Sequence, residues 1–80
     1  MNNKCCEFGR RLKEARQRKG LTREKFALNL GVDPSCAYWW EVGRNYPHIE
    51  RLVEISATLG VSIDWLLLGN ENHADLWAGT

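Results

Sequence analysis

The stretch Thr22–Gly43 reads TREKFALNLGVDPSCAYWWEVG and predicts two short helices joined by a tight turn. The first helix is expected over Arg23–Leu30, because the hydroxyl of Thr22 can accept a hydrogen bond from an amide of the first turn. The second begins after Asp33, since the proline at its first position loses no useful N–H. Gly31 can take the left-handed conformation that reverses the chain between them.

Three further helices are predicted around this pair. They cover residues 5–19, 48–59 and 63–68, and Ser62 is expected to cap the last of them. Apolar residues recur at the spacing of one helix face: Phe8, Leu12 and Ala15 in the first of the three, and Ile49, Leu52, Ile55 and Leu59 in the second. The glycines expected to end the five helices are Gly20, Gly31, Gly43, Gly60 and Gly69. No stretch alternates apolar and polar residues long enough for a convincing strand, so the predicted fold is all-α.

The length and composition of the chain limit its function. Eighty residues with 44% apolar composition allow one small domain. No apolar run approaches the roughly 20 residues that span a bilayer, and the N-terminus lacks the apolar stretch of a signal peptide. No glycine-rich phosphate loop, metal-ligand cluster or activated nucleophile is recognisable. We therefore expect a cytoplasmic protein that is not an enzyme and has no cofactor, membrane segment or evident small-molecule ligand.

The charges are unevenly distributed along the chain. All eleven Lys and Arg residues lie at or before Arg51, and the net charge of +1 therefore hides two opposed parts. Residues 1–51 carry eleven positive and six negative charges, whereas residues 52–80 carry four negative charges and no positive ones. The N-terminal part can face phosphate, although any single Lys or Arg more often belongs to a solvated helix face.

The three cysteines do not form a metal-binding pattern. Cys5, Cys6 and Cys36 contain no C-x-x-C pair, and adjacent cysteines do not easily bridge each other. Reduced thiols are the expectation. A metal or redox sensor that combines Cys36 with Cys5 or His48 remains an alternative.

A set of residues in register over about sixty positions carries a family resemblance. It consists of Thr22, Ala27, Gly31, Val32, Trp40, Glu41 and Gly43, with Arg16, Gly20 and Leu21 upstream and Pro47, Leu52 and residues 59–67 downstream. In these positions the segment from about Phe8 to Gly69 resembles the lambda-repressor-like helix-turn-helix family, which includes Cro, phage repressors and XRE-type proteins. The resemblance implies a compact five-helix domain whose second and third helices form the helix-turn-helix.

The resemblance also implies a function and a division of the chain. Residues 1–69 would form a DNA-binding domain, and residues 70–80 a tail that is frayed, docked on a dimer interface, or the start of a linker. The chain would be a sequence-specific transcriptional regulator, resembling a phage or prophage repressor, that binds a palindromic operator in double-stranded DNA as a homodimer. The apolar residues expected at the dimer interface are Trp65, Leu68 and Trp77.

Site residues follow from the same resemblance. The second helix of the motif would enter the major groove with Ala37 and Trp40 turned to the core. The residues expected to face the bases are Pro34, Ser35, Cys36, Tyr38 and Trp39. Those expected near phosphates are Arg16, Thr22, Arg23, Gly43, Arg44 and Asn45. Arg16 is also expected to pair with Glu41 and brace the fold.

The base-facing set is unusual for a DNA-reading helix. Strong direct readout joins Arg to guanine, or Asn and Gln to adenine, through two hydrogen bonds, and none of these side chains stands at the expected positions. DNA shape could then contribute to specificity. The alternative function is a protein-interaction module on a helix-turn-helix scaffold, because exposed aromatic residues such as Tyr38 and Trp39 concentrate in protein interfaces.

Overall fold

Five α-helices account for most of the part of the chain that the computed structural model describes, residues 4–69. They are α1 (Lys4–Arg18), α2 (Arg23–Leu30), α3 (Pro34–Glu41), α4 (Ile49–Leu59) and α5 (Ile63–Leu68). No strand occurs within these residues. The predicted all-α fold is confirmed, and the observed ends of α1, α2, α4 and α5 lie within a residue of the predicted ones, as does the start of α3.

The predicted caps fix where the helices begin. The Thr22 hydroxyl accepts from the Lys25 amide at 3.1 Å, and the Asp33 carboxylate accepts from the Ser35 amide at 3.0 Å. Ser62 caps α5 in the same way. Gly31 ends α2 in the left-handed conformation, with φ of 75°. Each capped amide would otherwise lack an intrahelical partner, so these side chains set the register of the helices.

The core lies where α1, α2 and α3 meet and continues between α4 and α5. Helix α3 packs against both α1 and α2, while α5 packs against α1 and α4. The largest fully buried side chains are Phe8, Leu12, Phe26, Ile55 and Leu66. Ala37 and Trp40 are buried, as predicted for the inward side of α3. This packing holds α3 firmly by one side and leaves its other side outside the core.

One residue of the predicted core face is not buried. Ile49 is 69% exposed, although its spacing predicts that it lies on the same face as Leu52, Ile55 and Leu59, which are all buried. Ile49 is the first residue of α4, and the core contacts of this helix are made by the turns that follow. Val53, one turn further along α4, is also exposed.

The proposed tail, residues 70–80, and with it Trp77, lies outside the described residues, so the division of the chain at residue 69 stays a prediction. Within residues 4–69 no helix is both long enough and apolar enough to cross a membrane.

Candidate nucleic-acid interface

Helix α3 has one side in the core and one side facing outward. Trp40 is buried, whereas the neighbouring side chains Tyr38 and Trp39 are 46% and 38% exposed. Pro34, at the first position of the helix, is exposed as well. Three of the five residues predicted to face bases, Pro34, Tyr38 and Trp39, therefore share the outward side of this helix.

The other two predicted base-facing residues are partly buried. The Ser35 hydroxyl donates a hydrogen bond to the Asp33 carboxylate, which is the cap of α3. Cys36 packs against the hydrophobic core. Both side chains thus make contacts within the domain, and their base-facing role stays a prediction.

A carboxylate at the end of α3 joins this helix to both α1 and α2. Glu41 accepts from Arg16 Nε at 2.6 Å and from Arg16 Nη2 at 3.3 Å, and these side chains are only 2% and 8% exposed. Arg23 Nε lies 3.4 Å from the same carboxylate. Arg16 also donates to the Leu21 carbonyl at 2.8 Å. The predicted Arg16–Glu41 pair is confirmed, and Arg16 is a buried brace whose phosphate contact stays a prediction.

The two exposed rings of α3 each lie beside an arginine. The Cζ atom of Arg23, at the start of α2, is 5.3 Å from the centre of the Tyr38 ring. The Cζ atom of Arg44, in the loop after α3, is 5.3 Å from the centre of the Trp39 ring. A guanidinium at this distance is attracted to the face of an aromatic ring. Two positive charges therefore flank the outward side of α3.

The loop after α3 turns at Gly43, whose φ is 84°. A Cβ atom there would stand 2.7 Å from the Cα of Cys6, so both the conformation and the close approach to α1 require glycine. The Gly43 amide donates to the Trp40 carbonyl at 3.3 Å, and the Arg44 amide donates to the Trp39 carbonyl at 2.9 Å. The turn leaves Arg44 and Asn45 exposed next to the outward side of α3.

The Asp33 carboxylate is the titratable group that caps this helix. The hydrogen bonds from the Ser35 hydroxyl and then from the Ser35 amide lower the pKa of Asp33 from its ordinary value of 3.8. Asp33 is therefore ionised at neutral pH, and its negative charge sits at the positive end of the α3 dipole.

The cysteines do not assemble into a metal centre in the described part of the chain. Burial, and then the neighbouring Cys6, raise the pKa of the Cys5 thiol, which opposes formation of the thiolate that binds metals or reacts with oxidants. Cys36 and His48 both line a cavity of about 300 Å³ beside Trp39. Residues 4–69 contain no group of three or more His, Cys, Asp or Glu placed to hold a metal ion.

Several residues that join the helices to one another were not identified from the sequence. A Cβ on Gly9 would clash with the carbonyl oxygens of Trp40 and Glu41, so Gly9 permits the end of α3 to approach α1. Arg11 donates to the carbonyls of Leu66 and Leu67, and Arg51 donates to the Leu30 carbonyl. The one sequence signal for these contacts is Gly9 itself, because an isolated glycine inside a helical pattern often has a packing reason.

The predicted dimer residues lie in different surroundings. Leu68 is 64% exposed at the end of α5, whereas Trp65 is half-buried and packs against the core. Trp77 is outside the described residues. Leu68 is thus an exposed apolar side chain and Trp65 is in part a core residue, and their dimer contacts stay a prediction.

The sequence of this domain matches a known protein family. Residues 12–66 match the family profile of helix-turn-helix domains, which is most of the chain. Together with the two capped helices, the glycine turn and the outward side of α3, this match shows that the chain belongs to the XRE-type helix-turn-helix family of DNA-binding transcription regulators.

Particular relatives come from several bacteria. The chain is 38% identical over 69 residues to the SPbeta prophage-derived HTH-type transcriptional regulator YonR of Bacillus subtilis, covering 86% of this chain and 64% of that protein. It is 42% identical over 65 residues to the HTH-type transcriptional activator BcrR of Enterococcus faecalis, covering 81% of this chain and 32% of the relative. The chain therefore spans less than two thirds of the length of these curated relatives.

Solved structures share the fold. The restriction-modification controller protein C.AhdI of Aeromonas hydrophila superimposes with a TM-score of 0.71 at 29% identity, covering 78% of this chain and 94% of that one. The clp gene regulator ClgR of C. glutamicum superimposes with a TM-score of 0.74 at 26% identity, covering 85% and 88% of the two chains.

Proposed function

We propose that the chain binds double-stranded DNA and regulates transcription, with α3 in the major groove and α2 across the sugar-phosphate backbone. The observation that carries this proposal is the outward side of α3, where Pro34, Tyr38 and Trp39 are exposed and the guanidinium groups of Arg23 and Arg44 lie beside the two rings. An α-helix fits the major groove, and cations on both sides of it match the two phosphate strands that border the groove.

The proposed phosphate contacts come from two places. The start of α2 offers Thr22 and Arg23 together with the positive end of the helix dipole. The loop after α3 offers Gly43, Arg44 and Asn45. Arg16 forms a buried ion pair with Glu41, and Glu41 also contacts Arg23, so Arg16 helps to hold Arg23 in place.

Within this function, we place the chain among phage-type or prophage-type repressors that act in the cytoplasm. The similarity to a prophage-derived regulator supports this placement. A homodimer on a palindromic operator, with half-sites roughly one helical turn apart, agrees with the exposed Leu68 at the end of α5. Light scattering at micromolar concentration should give twice the 9.2 kDa mass of the chain. A monomer at all accessible concentrations would refute the dimer but not DNA binding.

Selection of bound sequences from a random duplex pool tests the function most directly. Enrichment of an inverted repeat is the expected outcome, and it would establish binding, base preference and half-site symmetry together. The affinity for the selected duplex should fall steeply as salt rises. A pool that stays random after repeated selection, with no salt-dependent binding, would refute the proposal.

A protein-interaction module is the second candidate, and one observation favours it. Tyr38 and Trp39 expose aromatic surface on α3, and no Arg, Asn or Gln occurs between Pro34 and Glu41 to form two hydrogen bonds with a base. If this candidate is right, the chain should bind no duplex with salt-dependent affinity, and substitution of Arg23 or Arg44 should leave its binding partner bound.

A further inference from the structure

The contacts of the two exposed rings on α3 suggest a role other than base recognition. Tyr38 faces Arg23 of α2, and Trp39 faces Arg44 of the following loop, each at 5.3 Å from guanidinium carbon to ring centre. Adjacent positions of a helix point about 100° apart, so the two rings hold their arginines at different edges of the outward side of α3. We propose that Tyr38 and Trp39 are positioning residues that orient Arg23 and Arg44 toward the DNA backbone. This inference rests on the proposed DNA-binding function.

The physical advantage of such pairs lies in the free protein. An arginine side chain loses rotamer freedom when a phosphate fixes it, and this loss weakens binding. A ring that already holds the guanidinium removes part of the loss before DNA arrives. A ring can hold a guanidinium without a hydrogen-bond acceptor, so the Nη donors of both arginines have no protein acceptor in the described part of the chain and can form a bidentate contact with phosphate, while Nε of Arg23 donates to Glu41.

The two pairs differ in how strongly the ring is needed. Arg23 is held by Tyr38 and also by the Glu41 carboxylate, 3.4 Å from its Nε. Within residues 4–69, the side chain of Arg44 contacts the Trp39 ring and donates no hydrogen bond. Loss of the Trp39 ring should therefore release Arg44 completely, whereas loss of the Tyr38 ring leaves Arg23 still tied to Glu41.

The test uses double-mutant cycles on two duplexes, the sequence selected from a random pool and an unrelated sequence of equal length. Trp39→Leu keeps apolar bulk but removes the aromatic face. It should weaken binding about two- to fivefold on both duplexes, which corresponds to an exposed cation–π contact. Trp39→Phe should retain most of the wild-type affinity, because it keeps an aromatic face. In an Arg44→Ala background, Trp39→Leu should have no further effect, since its partner is already gone.

Crossed pairs provide the matched control. Two double variants join residues from different pairs: Trp39→Leu with Arg23→Ala, and Tyr38→Leu with Arg44→Ala. In each, the fold-losses of affinity from the two single substitutions should multiply. Tyr38→Leu with Arg23→Ala should show coupling, but Tyr38→Leu alone should weaken binding less than Trp39→Leu alone. A general disturbance of α3 would instead couple all four combinations equally.

A measurement without DNA checks the geometry. In the free protein the side-chain methylene protons next to the Arg44 guanidinium should show an upfield NMR shift from the Trp39 ring, and Trp39→Leu should abolish it. The absence of this shift in the wild type would contradict the pairing.

Three binding outcomes would overturn the inference. If Trp39→Leu weakens binding only on the selected duplex, Trp39 reads bases. If the losses from Trp39→Leu and Arg44→Ala multiply, the ring does not position this arginine. If the wild type binds neither duplex, the proposed function fails and the inference fails with it, whereas the first two outcomes leave DNA binding intact.

Discussion

Glu41 is the residue on which the interface and the core both depend. Its carboxylate is 2% exposed and contacts Arg16 from α1 and Arg23 from α2. A buried charge that loses its partner is strongly destabilising, while a buried pair replaced as a whole by apolar groups is often tolerated. The stability of the domain should therefore respond very differently to single and double substitutions at positions 16 and 41.

Glu41→Leu should lower the free energy of unfolding by roughly 3–5 kcal/mol, because it leaves the Arg16 guanidinium buried beside an apolar group. Arg16→Met should be less harmful, since Arg23 still lies 3.4 Å from Glu41. The double variant Arg16→Met with Glu41→Leu should recover much of the unfolding free energy that Glu41→Leu alone loses. Urea denaturation measures all three, and a double variant as unstable as the sum of the single ones would contradict this explanation.

Gly9 offers a prediction in which two effects oppose each other. Alanine would favour the helical state by about 1 kcal/mol over glycine. A Cβ at this position would however clash with the main-chain carbonyls of Trp40 and Glu41, which no side-chain rotation can relieve. Overpacking of this kind costs about 1–3 kcal/mol or more, so Gly9→Ala should lower the melting temperature.

Lys13→Ala, on the exposed side of the same helix, is the control for Gly9→Ala and should change stability by less than about 0.5 kcal/mol. A Gly9→Ala variant that is as stable as the control would show that α1 and α3 can separate without loss. Thermal unfolding followed by circular dichroism distinguishes the two outcomes.

Among the helices, α3 is a short one of eight residues whose position depends on its ends. Asp33 caps its beginning, Gly43 turns the chain after its end, and Glu41 ties the last turn to α1. Isolated helices of this length are marginal in water, so most of the stability of α3 comes from these contacts and from its buried side.

The cap of α3 predicts a pH dependence. The folded state lowers the pKa of Asp33 below 3.8, so the ionised cap contributes stability above that value and loses it as pH falls through the folded pKa. Asp33→Asn retains a good cap that does not titrate. The stability difference between wild type and Asp33→Asn should be constant near neutral pH and should change in favour of the variant below about pH 4.

Urea denaturation at a series of pH values measures this difference. Ser35→Ala is the matched control, because it removes the hydroxyl that makes the largest contribution to the pKa shift of Asp33. The pH-dependent part of the difference should shrink in the Ser35→Ala background. A difference that does not vary with pH would contradict the assigned cause.

The elements themselves were predictable from the sequence, because their signals are local. Thr22, Asp33 and Ser62 indicate where helices begin, and the glycines indicate where helices end. These signals do not depend on which residues lie nearby in space. The Arg16–Glu41 pair followed from the family resemblance.

The remaining contacts of the candidate site depend on tertiary structure. Gly9, Arg11 and Arg51 act on helices distant in the sequence, and periodicity carries no information about which carbonyls an arginine will reach. The pairing of Tyr38 with Arg23 depends on the angle between α2 and α3 in the same way. The prediction that Ile49 lies on the core face is wrong for a related reason, because spacing along a helix does not reveal where the neighbouring helices end.

In the molecule as a whole, the distribution of charge predicts that the proposed DNA binding depends strongly on salt. All positive side chains precede residue 52, and two of them, Arg23 and Arg44, lie beside the exposed rings of α3. Each phosphate that such a cation neutralises releases counterions from the duplex.

A plot of the logarithm of affinity against the logarithm of salt concentration should therefore become shallower by about 0.9 for each of the substitutions Arg23→Ala and Arg44→Ala. Lys13→Ala, on the exposed side of α1, should leave the slope unchanged if α1 does not contact the duplex. Fluorescence anisotropy with a labelled duplex gives these slopes, and unchanged slopes in both arginine variants would place the phosphate contacts elsewhere.

The division of α3 into an anchored side and an outward side also has a use in protein engineering. The residues that hold the helix in place are Ala37, Trp40 and Glu41, and the exposed ones are Pro34, Tyr38 and Trp39. A library randomised at the exposed positions alone would leave the core intact, so new binding preferences could be screened without first rescuing the expression of unfolded variants.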